Sequence, residues 1–148
     1  MEDKLKIFIN SVFYYFDHTC REPIDVGSPY LVNSMSSIQA EYTALIAVTG
    51  EYQGVCCFST PKALLEEVIK SVGVSDTSPN MLLDTAGEIA NTLSGNARKF
   101  LGSEFNISVP MVFKGAPDKT YLPEHAKIYA IPIEWKGIKA ILGISLVQ

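Results

Sequence analysis

Within residues 80–101 the sequence places Glu88, Asn91 and Gly95 at steps of three and four. At about 100° per residue of an α-helix, these three fall in one row with Asp84 and Arg98. Leu82, Ala86, Ile89, Leu93, Ala97 and Phe100 fall almost opposite. Residues three and four apart on a helix are neighbours, so the carboxylate of Glu88 and the amide of Asn91 lie side by side. Asn forms helices poorly, and Gly costs up to about 1 kcal/mol against Ala. A face selected only for stability would carry Lys, Gln, Glu or Ala. The pattern leaves two readings open. One is an ordinary solvated face, since exposed Glu and Asn are common. The other is a functional row, because local rule-breaking tends to mark functional sites; there the missing side chain of Gly95 lets another surface come close. Asp84 and Arg98 extend the row as candidate contacts, or serve as simple solvated charges.

Other chemistries find little support. The three cysteines, Cys20, Cys56 and Cys57, are odd in number and two are adjacent, which is no disulfide framework. With His18 and His125 they form neither a C-x-x-C nor an H-E-x-x-H pattern, so no metal of the protein's own is expected. Cys56 and Cys57 read as small hydrophobes in a strand. The histidines read as residues of polar connections, and Tyr14 and Tyr15 as core or interface. Reduced cysteines point to the cytoplasm. The apolar run over 7–16 is broken by Asn10 and Ser11 and is far short of the roughly 20 residues a membrane span needs. Glu2 and Asp3 spoil the basic start of a signal peptide. Lys and Arg number 12 against 16 Asp and Glu, a net charge of -4, which disfavours nucleic acid and membrane surfaces as partners.

The elements that must position the row follow from periodicity. At 148 residues the chain is one domain. Residues 3–17 read as a helix with Leu5, Phe8, Val12, Phe13 and Phe16 inward. An irregular edge segment covers 24–32, with Gly27 and Pro29 in it. Alternation over 42–49 and 52–58 around Gly50-Glu51 reads as a hairpin, apolar on both faces and therefore central. Ser59 or Thr60 is expected to cap a helix over 61–72, with Pro61 at its first position, Leu64, Leu65, Val68 and Ile69 buried, and Gly73 as its stop. The helix over 80–101 is closed by Gly102. Strands are expected over 106–114, 127–135 and 138–147, with a loop over 115–126 and a tight turn at Lys136-Gly137. Runs of strands and runs of helices make an α+β layer fold. The last strand is apolar on both faces and asks for cover on both sides and pairing on both edges. Together with the whole chain's mean hydropathy of +0.17, this points to a subunit interface.

The stretch 84–97, DTAGEIANTLSGNA, resembles the E-x-x-N helix of the CheC/CheX/FliY family of chemotaxis phosphatases. Ile107-Ser108-Val109-Pro110 resembles the start of the strand that follows it, and the hairpin and helix over 42–72 sit where the family has them. The resemblance covers nearly all of the chain after residue 20. A second motif is absent: Glu67 is followed three residues on by Lys70, and Asn10 is preceded by Ile7. A single motif is more similar to CheX than to CheC. The resemblance implies a two-layer sandwich of a mostly antiparallel sheet packed against helices, and a homodimer joined through its sheets. It implies hydrolysis of the aspartyl phosphate of a CheY-like receiver domain, which brings its own Mg2+. Glu88 would then dock on a receiver lysine. Asn91 would orient the attacking water, since its carbonyl accepts from water while its NH2 donates elsewhere, the task a glutamine performs in GTPases. A non-catalytic receiver-binding or flagellar-switch-like domain is the alternative.

Overall fold

The computed structural model describes residues 2–34, 38, 40–115 and 127–147. From the N-terminus, helix α1 (Glu2–Tyr15) runs directly into a π-helical turn, Phe16–Cys20. Two short strands follow, β1 (Asp25–Val26) and β2 (Tyr30–Val32), then the hairpin β3 (Tyr42–Gly50) and β4 (Gln53–Thr60). Helices α2 (Lys62–Ser71) and α3 (Pro79–Leu101) come next, then β5 (Phe105–Ile107), β6 (Met111–Lys114), β7 (Ile128–Trp135) and β8 (Ile138–Val147). Apart from Gly115, the loop expected over 115–126, His125 included, lies outside the described residues.

The described strands form one sheet of eight in the order β1-β7-β8-β4-β3-β5, with β2 also on β7 and β6 also on β3. Every pairing among them is antiparallel. The hairpin is central, as its two apolar faces require, and the 24–32 segment forms the edge. The main core lies between the sheet and the helices. It joins Leu5, Phe8 and Val12 of α1, Leu64, Leu65, Val68 and Ile69 of α2 and Leu82, Ala86, Ile89, Leu93 and Ala97 of α3 to Ala44, Ile46, Cys56, Phe58, Leu142 and Ile144. A smaller apolar cluster on the opposite face gathers Ile38, Leu45, Val55, Cys57, Ile128 and Ala130. This is the α+β two-layer sandwich expected. Among the described residues no helix is long and apolar enough to cross a membrane.

Several local expectations are corrected. The regular α-helix stops at Tyr15, two residues short of the 3–17 expected, and widens into the π-turn Phe16–Cys20, closed by Arg21 at a φ of 57°. Tyr15, not Phe13, takes the inward place in α1. Ser59 and Thr60 stay in β4, and Pro61 precedes α2 without a side-chain cap. The first N–H of that helix, on Lys62, is satisfied instead from across the fold, by Glu41 Oε1 at 3.1 Å. The strand expected over 106–114 is broken at 108–110. There Ser108 substitutes for the ladder: its N–H donates to the Ala47 carbonyl at 3.0 Å, and its Oγ accepts from the Ala47 N–H at 3.0 Å. Pro110 has no N–H to offer. The pairing on both edges expected of β8 is met within the chain, by β7 and β4.

Candidate active site

The row of Glu88 and Asn91 depends on how α3 is held. Ser78 caps the helix, its side chain accepting from the Met81 N–H, and Pro79 occupies the first turn. Leu82, Ala86, Ile89, Leu93 and Ala97 are buried against the sheet. Gly87 sets the closeness of the contact: a Cβ there would lie 3.0 Å from Val112 Cγ1 and 3.4 Å from Pro110 Cγ. The broken strand β5–β6 thus presses its proline against the one position of that turn without a side chain. On the flank, α1 packs along α3.

Opposite this buried face, Asp84, Glu88, Asn91 and Arg98 are exposed and Gly95 is half-buried. Neither Glu88 nor Asn91 forms a hydrogen bond or ion pair with another described residue. A Cβ on Gly95 would meet nothing within 4 Å, so the row is open to another surface at that point. Arg98 is partly committed to its own fold, its Nε–H donating to the Phe105 carbonyl at 2.9 Å. Phe100, assigned to the buried side by the wheel, is 73% exposed. A wheel gives the direction of a side chain but not what lies there. Phe100 instead lines a solvent-open groove together with Asn10, Ser11 and Tyr14 of α1.

Periodicity also missed the neighbours that α1 brings. Tyr15 is buried, and its hydroxyl is pushed up from its ordinary range by burial first, then by Cys20 and by the Glu88 carboxylate. It stays a neutral phenol beside the exposed row. The Cys20 thiol is likewise raised, mainly by burial. Cys56 and Cys57 are fully buried in β4 and pushed up to about 12 by burial, so they pack as hydrophobes. His18 lies in the π-turn, stacked on Tyr14 with ring centroids 4.0 Å apart. No group of three or more His, Cys, Asp or Glu that could hold a metal occurs among the described residues. The arrangement offers an anion and a neutral amide, side by side on a rigid helix and free to meet a partner.

Comparisons with known proteins fit this architecture. A family model described as chemotaxis phosphatase CheX matches residues 42–134. No curated protein matches the chain significantly. Among solved structures, a CheC-like superfamily protein from Shewanella sp. PV-4 superposes with a TM-score of 0.85 at 20% identity, over 99% of this chain and 98% of that one. CheX from Vibrio vulnificus gives 0.81 at 18% identity, over 98% and 99%. A CheX–CheY–BeF3–Mg2+ complex from Borrelia burgdorferi gives 0.79 at 15% identity, over 98% of each chain. At these identities the structures show a shared fold, while the family model spans more than half of the sequence, including both Glu88 and Asn91: the chain belongs to the CheX family of chemotaxis phosphatases.

Proposed function

We propose that the protein hydrolyses the aspartyl phosphate of a CheY-type receiver domain. The observation that carries this reading is the side-by-side exposure of Glu88 and Asn91, without hydrogen-bond or ion-pair partners among the described residues, on a helix fixed by its packing. The existence of a CheX–CheY complex of similar fold supports the choice of partner.

Phosphoryl transfer asks chiefly for positioning and charge stabilisation. The receiver supplies the phosphorylated carboxylate, a lysine and Mg2+; what it lacks is a placed water. Asn91 accepts a hydrogen bond from that water through its side-chain carbonyl and, being neutral, does not repel the phosphoryl group as a carboxylate would. The water oxygen attacks phosphorus, the bond from phosphorus to the aspartyl oxygen breaks, and the aspartate leaves as carboxylate. Both protons of the water leave with the inorganic phosphate. Glu88 pairs with the receiver lysine and fixes the approach. Asp84, Gly95 and Arg98 complete the contact row. Ordering one water can supply part of the roughly 7–11 kcal/mol available to proximity effects. The protein works in the cytoplasm, needs no metal of its own, and forms a homodimer whose sheets meet, with both Asn91 helices facing outward.

The test is phosphate release from a CheY-type receiver phosphorylated with acetyl phosphate. Wild-type protein accelerates release. Asn91→Ala loses at least about 100-fold in kcat, the scale of a misplaced reactant. Glu88→Ala chiefly raises KM. Both side chains are exposed, so melting temperatures hold. Wild-type rates in both variants would overturn the site. Receiver binding without any acceleration by the wild type would make the domain a docking module.

A further inference from the structure

Beyond Gly95 the exposed row of α3 continues, one turn on, to Lys99. Lys99 lies on the rim of a cavity of about 240 Å3 between α1 and the last turns of α3, which is also lined by Asn10, Ser11, Tyr14, Asn96 and Phe100. Its two aromatic walls stand in solvent, Phe100 at 73% and Tyr14 at 54% exposure. Tyr14 is nevertheless held in place. The π-turn brings His18 under its ring at 4.0 Å with the planes 19° apart, and His18 Nδ1 is 3.0 Å from the Tyr14 carbonyl oxygen. An exposed aromatic that is already ordered has less entropy to lose on binding.

We propose that this groove is a second contact patch for the phosphorylated receiver domain, taking one large apolar side chain of the receiver while Asn91 meets its phosphoryl group. The inference rests on the receiver reading of Glu88 and Asn91. A specific protein interface covers about 800 Å2 on each partner, far more than the single helical row from Asp84 to Arg98 presents. A docked receiver therefore overlaps the surface next to the row. Beyond the row's own Asp84 the first residues of α3 carry no cation to meet a site of carboxylates and phosphate, whereas beyond Arg98 the end of the helix carries Lys99. From Asn91 to Lys99 is eight residues, about 12 Å along the helix axis, well within one interface. Gly95 leaves the path between them clear. Tyr and Phe are enriched where interfaces are driest, and a few such anchors carry most of the binding energy.

The experiment compares wild type, the double variant Tyr14→Ser with Phe100→Ser, and Phe100→Leu alone. It measures binding to a receiver activated with beryllium trifluoride and Mg2+, steady-state phosphate release, and mass by light scattering. Both target side chains are exposed, so the fold is expected to hold, and circular dichroism checks it. The double variant should raise Kd and KM at least about tenfold, the effect of losing anchor residues, with kcat at saturating receiver within about twofold. Phe100→Leu, still apolar, should stay near wild type. Unchanged Kd and KM in the double variant, with an active wild type, would overturn the groove and leave the receiver reading standing. A fall in mass on substitution would assign the groove to a second copy of this chain and overturn the proposal. A wild type that neither binds nor dephosphorylates the receiver would overturn the receiver reading itself, and the groove with it.

Discussion

Gly95 follows Asn91 by one helical turn on the open row of α3, and a Cβ built on it would meet no atom within 4 Å. Gly87, eight residues earlier in the same helix, is in the opposite situation, pressed against Val112 and Pro110. The two glycines lie on different surfaces, one open and one pressed to the fold's own sheet.

Substitution separates them. Gly95→Ala is expected to raise the unfolding free energy by up to about 1 kcal/mol, through helix propensity alone. Gly95→Arg should keep the melting temperature and abolish receiver docking by bulk. Gly87→Leu should instead lower stability by about 1–3 kcal/mol, as overpacking does. Denaturant titration and receiver binding, run on the same variants, check both. Retained binding in Gly95→Arg would remove Gly95 from the contact row.

Stability should fall at alkaline pH. Burial holds the Cys56 and Cys57 thiols at about 12 in the folded state, against roughly 8.5 in an unfolded chain. Tyr15 is raised in the same direction, by burial before Cys20 and Glu88. Above pH 8.5 the unfolded chain binds fewer protons than the folded one, so the slope of stability with pH is negative. The contribution is complete below pH 8.5 and is lost as pH rises toward about 12. Urea titrations between pH 8 and 11 check this, and the double variant Cys56→Ala with Cys57→Ala should flatten the decline. An equally steep decline in that variant would assign it elsewhere.

Metal dependence should follow the receiver. Protein washed with chelator is expected to contain no stoichiometric metal and to regain full activity when Mg2+ is added with phosphorylated receiver. Elemental analysis of the washed protein decides the first point. Tightly held metal, with activity lost on its removal and not restored by Mg2+, would contradict the proposed division of labour.

Assembly is the last expectation. With β8 paired on both sides, the sheet edges among the described strands are those of β1 and β2 at one end and β5 and β6 at the other. Tyr30 and Leu31 of β2 are exposed apolar residues at such an edge, and unpaired edges invite strand pairing. Light scattering at micromolar concentration should give twice the chain mass of 16.2 kDa. A monomeric mass would sink the dimer, and a dimer that buries Asn91 would sink the site, since no receiver could reach it.

Much of this molecule is legible in one dimension. The row of Glu88, Asn91 and Gly95, the apolar stripe of α3, the central hairpin and the turn at Lys136-Gly137 all follow from local periodicity and turn chemistry, because backbone geometry fixes which residues share a face. The turn shows the rule directly: Lys136 and Gly137 both adopt positive φ, 52° and 76°, as a two-residue hairpin loop demands. What periodicity cannot carry is the identity of whatever lies in a given direction. The same wheel that correctly buries Leu93 buries Phe100 wrongly, because Phe100 lines an open groove against α1 instead of packing on the sheet. Glu41 capping α2, Ser108 replacing a rung of the β3 ladder, and Tyr15 arriving beside Glu88 are contacts between residues 21, 61 and 73 positions apart. No local pattern encodes such pairs, and only the closing of the sheet against its helices brings them together. The sequence by itself determined the elements and the residues of the exposed row; tertiary packing alone decided which surfaces border that row, since side-chain neighbours across elements are set by how layers dock.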